Sequence, residues 1–210
     1  MFEETREILV ELPESLENLK LPSPQLLAHY RDLRDRIVWV DAPIDESLME
    51  TVKQILAWNR EDRGVPKAER KPIRMLVNSP GGDLDATLSC FDVMLASETP
   101  ITTVNMGNAM SGGLLLLIAG EKRYCLKNST ALLHNGSTSI GGTASQAKAT
   151  MDYYKSQLAT LTQIILDRTA IDAKLYKKRQ NDEWYFSGQD QVKYGIVDEM
   201  VQCANQLLFG

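Results

Sequence analysis

The chain has 210 residues, 43% apolar and 24% charged, with a formal net charge of −5. That is globular usage at a length sufficient for a substantial core, so disorder of the bulk of the chain is excluded. The longest uninterrupted apolar run, Leu114 to Ala119, falls well short of the roughly 18 residues a membrane span requires, and an acidic balance disfavours a nucleic-acid surface.

Six glutamates stand against Arg6 and Lys20 in the first twenty residues, so no basic, apolar export signal is expected there. Cys90, Cys125 and Cys203 lack the spacing of a disulfide or zinc scaffold and point to a reducing, cytoplasmic setting. Residues 1–29, with Pro13, Pro22 and Pro24, read as an extended arm, and residues 30–210 as one domain. Ile37 to Val40 reads as a strand. From Asp45, as N-cap, Leu48, Val52, Ile55 and Leu56 mark one helical face. The basic cluster from Arg60 to Lys71 is interleaved with Glu61, Asp62 and Glu69, which reads as a solvated loop. A second strand, Ile73 to Val77, ends at Asn78-Ser79-Pro80-Gly81-Gly82, and Leu84, Leu88, Phe91 and Leu95 then recur at helical spacing.

Ile101 to Asn105 is strand-like. Met106 to Gly113 reads as a turn into a segment apolar on all sides through Gly120, hence a buried helix. Two short strands are expected at Tyr124 to Leu126 and Thr130 to His134, then a loop at 135–145. The longest helix, about 145–169, carries Met151, Tyr154, Leu158, Leu161 and Ile165 at spacings of three and four. Asp172 to Arg179 reads as a short helix. Ser187 with Asp190 resembles a capping box, with Gly195 as helix stop and Ile196-Val197 as a last strand. The pattern is α/β.

Only two histidines exist, His29 and His134. His29 lies in the arm among polar residues, where a surface role is expected. His134 closes a strand, where a sheet presents reactive groups to a cleft, although a rim histidine bonded to the core fits the same position. Ser111 stands where a Gly-rich turn enters the apolar helix. It reads either as a capping serine or as a nucleophile whose oxyanion the helix N-terminus stabilises, with the Gly112 amide as first donor. The turn at Ser79-Pro80-Gly81-Gly82 is either a plain strand-to-helix connection or the source of the other donor. Order along the chain disfavours the α/β-hydrolase arrangement, because no histidine follows His134 and only Glu121 separates it from Ser111 as a carboxylate. An order with histidine first would need His29. Nucleophile, histidine, acid remains.

Val77-Asn78-Ser79-Pro80-Gly81-Gly82, Met106-Gly107-Asn108-Ala109-Met110-Ser111-Gly112-Gly113, Leu133-His134-Asn135, Phe186-Ser187 and Tyr194-Gly195-Ile196-Val197-Asp198 together resemble the proteolytic subunit of the Clp protease, ClpP. The resemblance covers roughly residues 30 to 203. It implies a ClpP/crotonase-like spiral of β-β-α units with the long helix as a protruding handle. It implies a serine endopeptidase that hydrolyses unfolded polypeptides inside stacked heptameric rings, without a cofactor of its own; ATP would be used only by a partner unfoldase of the AAA+ class. Carried over, the catalytic residues are Ser111, His134 and an acid. Matching Tyr185-Phe186-Ser187 to the family's run puts Glu183 where the family has aspartate, with Asp182 as the alternative and Asp172 a third choice. Gly81, Gly82 and Gly112 would supply the oxyanion hole.

Three departures concern partners. Residues 60–72 lengthen one connection, the acidic arm differs from the family's axial loop, and Arg74 replaces an aromatic of the unfoldase docking pocket. The substituted acid keeps open a catalytically silent ring subunit working beside a paralogue. The shared fold keeps open a crotonase-type acyl-CoA enzyme, and Lys122 or Lys127 a Ser-Lys dyad.

Overall fold

The computed structural model describes residues 23–136 and 139–208, and the chain separates into two units, residues 1–35 and 36–210. Most of the expected arm lies outside the described residues. Where it is described it is not extended: α1 runs Pro24–Arg34, with the Ser23 side chain accepting from the Leu26 amide. Pro24 is compatible with this because it occupies the first turn, where its missing N–H would have had no helical partner.

The second unit is a parallel sheet in the order β1-β2-β3-β4-β7, formed by Ile37–Val40, Ile73–Ser79, Ile101–Met110, Lys122–Cys125 and Glu199–Met200. Strand β2 and the first half of β3 are buried at nearly every position, as expected where both faces of a parallel sheet are covered. The helices are α2 (Leu48–Glu61), α3 (Leu84–Ala96), α4 (Gly112–Ala119), α5 (Ala144–Arg168), α6 (Ala173–Arg179), α7 (Gly188–Lys193) and α8 (Ala204–Leu208). Helix α2 packs on α3, α3 on α4, and α4 against β3. No helix among the described residues is long and apolar enough to cross a membrane.

Strand β3 is twice as long as its apolar run suggested and changes partner midway. Thr102 to Asn105 pair with β4, whereas Asn108 to Met110 pair in parallel with β5 (Thr130–Leu133). A register shift between Val77 and Ser79 accompanies the change, and Asn78 Oδ1 accepts from the Asn108 amide at 3.1 Å. A Cβ at Gly107 would lie 2.7 Å from Asn78 Oδ1, so a larger residue there would push the Asn78 side chain off the Asn108 amide. Strand β6 (Trp184–Phe186), too short to leave a periodic signal, pairs antiparallel with β5.

Several expected details differ. Helix α2 is capped at Ser47, not Asp45, whose carboxylate instead accepts from the Ser47 amide in the preceding turn. Its inner face uses Trp58, leaving Leu56 exposed. Helix α3 buries Ala86, Thr87, Cys90, Phe91 and Met94 rather than its leucine stripe. The close approach of α4 explains this, since a Cβ on Gly112 would lie 2.6 Å from Thr87 Oγ1. Ile196 and Val197 are buried but not a strand, because both amides fold back onto the Gln191 carbonyl.

The segment after α2 is largely exposed, as expected of a solvated loop, but it is pinned at Asp62 and Arg70. Arg36 donates to both carboxylate oxygens of Asp62 at 2.6 and 2.8 Å, and Thr99 Oγ1 donates to the same group at 2.7 Å. Arg70 donates to the Val65 carbonyl and to Glu98, and Lys67 to Glu121. Arg36 itself has φ 57°, so the Asp62 pair also holds a disfavoured backbone turn ahead of β1. Hydrogen bonds from Arg36, with a further one from Thr99, hold the Asp62 carboxyl below the usual carboxylate range, although burial opposes them. A depressed pKa contributes stability that is present above the unfolded value, about 3.9, and is lost as pH falls through the folded one. Asp62→Asn is therefore expected to lower stability near neutral pH by about 2 kcal/mol. In chemical denaturation that difference should shrink as the pH falls below about 4.

Candidate functional site

Ser111 lies between β3 and α4 with φ 52° and ψ −119°, a left-handed-side conformation rare for a residue with a Cβ. Three backbone bonds hold it there. Its amide donates to the Leu132 carbonyl of β5 at 2.9 Å, and its own carbonyl accepts from Leu114 and Leu115 in the first turn of α4. The hydroxyl makes no capping bond to that helix, so the expectation of a simple capping serine is not met. Helix α4 is buried along its whole length. Its last carbonyls are covered by Arg168, which donates to Ile118, Ala119 and Gly120. A cation at that end complements the helix dipole, whose positive end faces Ser111.

The turn Ser79 to Gly82 packs directly onto this elbow. Gly81 has φ +87°, and a Cβ on it would lie 2.5 Å from the Met110 carbonyl and 2.8 Å from Ser111 Cβ. The three expected oxyanion donors are not equivalent. The Gly81 amide donates to Ser79 Oγ at 3.1 Å, so of the three it is the one already engaged within the turn. Among the described residues the amides of Gly82 and Gly112 make no such bond.

His134 follows the last residue of β5. Because β3 and β5 are parallel neighbours with Met110 opposite Leu132, the chain carries Ser111 and His134 to the same end of the sheet, past adjacent strands about 4.8 Å apart. The antiparallel β5–β6 ladder ends with Leu133 opposite Trp184, so the next rung sets His134 opposite Glu183. His134 Nδ1 and Glu183 Oε1 are 2.9 Å apart. With Nδ1–H donating to the carboxylate, Nε2 carries the free lone pair. Asp182 is turned away onto Arg179 at 3.1 Å, and Asp172 caps α6 by accepting from Lys174 and Leu175. Glu183 is thus the carboxylate that meets the imidazole. Its side chain is 58% exposed, against 26% for His134.

Ser111, Gly112, His134 and Gly82 line one cleft of about 290 Å³, walled by Leu115, Leu133, Leu161 and Ile165 with Tyr154 and Tyr176. An apolar trough beside unpaired amides suits an extended peptide with an apolar side chain. Lys122 is not part of it, because it pairs with Thr102, about 30 Å up β3 from Ser111 at ~3.3 Å per residue. Lys127 follows β4 and sets its carbonyl against Gly188 of α7. Among the described residues no group of three or more histidine, cysteine or acidic side chains is arranged to hold a metal ion. Tyr154 is the site residue that sequence reasoning missed. It was read only as part of a helical stripe, yet its hydroxyl donates to the Asn135 carbonyl at 2.8 Å.

The fold, with its long β3 feeding an elbow into a buried helix and a 25-residue helix on which only Ile165 is buried, is a ClpP/crotonase-like α/β fold. The Clp protease family model matches residues 25–204. Among curated proteins, the chain is 33% identical to the ATP-dependent Clp protease proteolytic subunit 2 of Tropheryma whipplei (strain Twist), over 81% of this chain and 93% of that one. It is 31% identical to the protein of the same name from Bifidobacterium longum (strain NCC 2705), over 81% of each. The ATP-dependent Clp protease proteolytic subunit of Deinococcus radiodurans is 29% identical over 81% of this chain and 82% of that one. The chain belongs to the Clp protease family, and its activity class is peptide-bond hydrolysis.

The packing of the Ser79 to Gly82 turn on Ser111 is measurable. Gly81→Ala and Gly64→Ala both place a Cβ at positive φ, but only the first meets neighbouring atoms, Gly64 having none within 4 Å. Gly64→Ala is expected to cost about 1 kcal/mol, the backbone penalty alone, and Gly81→Ala about 3 kcal/mol with the added clash. Thermal denaturation of the two variants gives the difference.

Proposed function

We propose that this chain is the proteolytic subunit of an ATP-dependent Clp protease, a serine endopeptidase acting on unfolded polypeptide. Ser111 attacks the scissile carbonyl while His134 Nε2 takes its proton and then passes it to the leaving amine. Glu183 holds the imidazole through Nδ1 and stabilises the imidazolium that forms. The amides of Gly82 and Gly112, at the positive end of α4, bind the tetrahedral oxyanion. Water, deprotonated by the same imidazole, hydrolyses the acyl-enzyme. The chemistry requires no cofactor, and ATP is consumed by a separate unfoldase.

The observation that carries this reading is that His134, bonded to Glu183 at 2.9 Å, lines the same cleft as the strained Ser111, whose hydroxyl makes no capping bond. Helix α5 supports assembly into stacked rings. Met151 on it is exposed and Leu158 and Leu161 half-buried, so its apolar stripe needs a second copy to cover it. Arg74 is buried in β2 at the position where the family resemblance implies an aromatic, and an apolar anchor of an unfoldase binds less well beside a guanidinium. A reducing cytoplasm fits three free cysteines, with burial pushing Cys90 up to about 12 and leaving it inert as a nucleophile.

A fluorophosphonate probe should label wild-type protein at Ser111, and Ser111→Ala should abolish both labelling and peptide hydrolysis. His134→Ala should lower kcat by at least about 10³-fold, and Glu183→Gln by about 10²-fold, less than the ~10⁴ seen for a buried triad aspartate because solvent screens this carboxylate. Labelling that persists in Ser111→Ala would discard the mechanism.

A further inference from the structure

Leu133 is the last residue of β5 held by the β5–β6 ladder, so the backbone that carries the His134 imidazole has already left the sheet. Three side-chain bonds fix it beyond that point. Glu183 holds His134 Nδ1 at 2.9 Å, Asn135 Nδ2 donates to Asn181 Oδ1 at 3.3 Å, and the Tyr154 hydroxyl donates to the Asn135 carbonyl at 2.8 Å. The first two reach the same short stretch ahead of β6, and both involve exposed side chains. The third comes from the opposite direction, from α5, and is half-buried in the wall of the cleft.

We propose that Tyr154 is a positioning residue, whose hydroxyl clamps the Asn135 carbonyl and thereby fixes the imidazole of His134 in the cleft shared with Ser111. Resting on the serine-peptidase reading above, this assigns α5 a task inside the active site besides packing between subunits. Without the hydroxyl, the Asn135 carbonyl loses its partner and the segment from His134 to Gly136 is anchored from one side only. An imidazole displaced by about 1 Å costs up to two decades in rate while leaving substrate binding untouched. Tyr154 acts on the base rather than on the substrate, so the loss belongs in kcat and not in KM.

The test compares wild type, Tyr154→Phe and Tyr153→Phe with a chromogenic peptide and a fluorophosphonate, with thermal midpoints measured in parallel. Phenylalanine keeps the ring in the cleft wall and removes only the hydroxyl. Tyr153, one residue earlier and exposed, has its hydroxyl bonded to Gln157 on the same helix and serves as control. Tyr154→Phe should lower kcat about tenfold with KM within twofold, and slow labelling of Ser111 by the same factor. Its thermal midpoint should stay within about 2 °C, and Tyr153→Phe should match wild type. A kcat for Tyr154→Phe within twofold of wild type overturns the proposal. So does a rise in KM alone, which would make the hydroxyl a substrate contact. Should Tyr154→Phe fail to assemble, Asn181→Ala loosens the same residue from its exposed side and should lower kcat about threefold at unchanged KM; an unchanged kcat then overturns it. Wild-type protein unlabelled at Ser111 removes the serine-peptidase reading and this proposal together, whereas active wild type with an equally active Tyr154→Phe removes this proposal alone.

Discussion

A serine with a Cβ does not adopt φ 52° without help, and the packing that compels Ser111 to do so organises the rest of the second unit. The conformation costs on the order of 1 kcal/mol, which the surroundings must offset. From one side the Leu132 carbonyl takes the Ser111 amide, which requires β5 to lie beside the end of β3. From the other side Gly81 presses against Met110 and Gly112, which requires the turn after β2 to reach the same level. Below, α4 must start at once. It is buried along its whole length, and Arg168 covers its far carbonyls. Each neighbour of the elbow is thus a constraint on the path of a different part of the chain.

The change of partner along β3 makes this geometry possible. If β4 paired along all of β3, β5 would have no place next to Ser111. The switch is fixed by a buried polar network in which every atom that can bond does so. Asn105 Nδ2 donates to the Thr130 carbonyl and to Gln191 Oε1, while its Oδ1 accepts from the Gly107 amide. Gln191 Nε2 donates in turn to the carbonyl and hydroxyl of Ser129. Gln191 and Asn105 are fully buried, and polar groups at that depth stabilise one arrangement because any other leaves them unpaired. The network ties α7 and the start of β5 to the middle of β3, and so sets where β5 ends and His134 begins.

The carboxylate is the least protected member of the trio. A glutamate reaches one methylene further than an aspartate, and at 58% exposure the Glu183 side chain is far more open to solvent than the imidazole it meets. Tyr185, two residues on and on the same face of β6, brings its hydroxyl to 3.5 Å from the second oxygen of Glu183. The segment that carries the imidazole is therefore bonded both from the stretch ahead of β6 and from α5.

Much of this was legible in the residues. The apolar runs of β1 and β2, the all-apolar α4, the stripe of α5 and the capping box of Ser187 are local signals, readable because period and cap chemistry act over a few residues. Ser111 and His134 stood out because glycines surround one and the other is one of only two histidines. Short or irregular pieces were not legible. Strand β6 has three residues and no period, and α1 begins with a proline that also suits an extended chain. The buried face of α3 follows from how closely α4 approaches, not from its own leucines. The resemblance already favoured Glu183 over Asp182, but the contact itself depends on the register of one antiparallel rung, a relation between residues 49 apart in the chain. By itself the sequence determined which side chains are chemically suited to the proposed reaction, because hydroxyl, imidazole and carboxylate are properties of single residues. Tertiary structure decided which of them meet, which amide stays free and which tyrosine bonds the Asn135 carbonyl, because those depend on strand register and on the path of backbone between them.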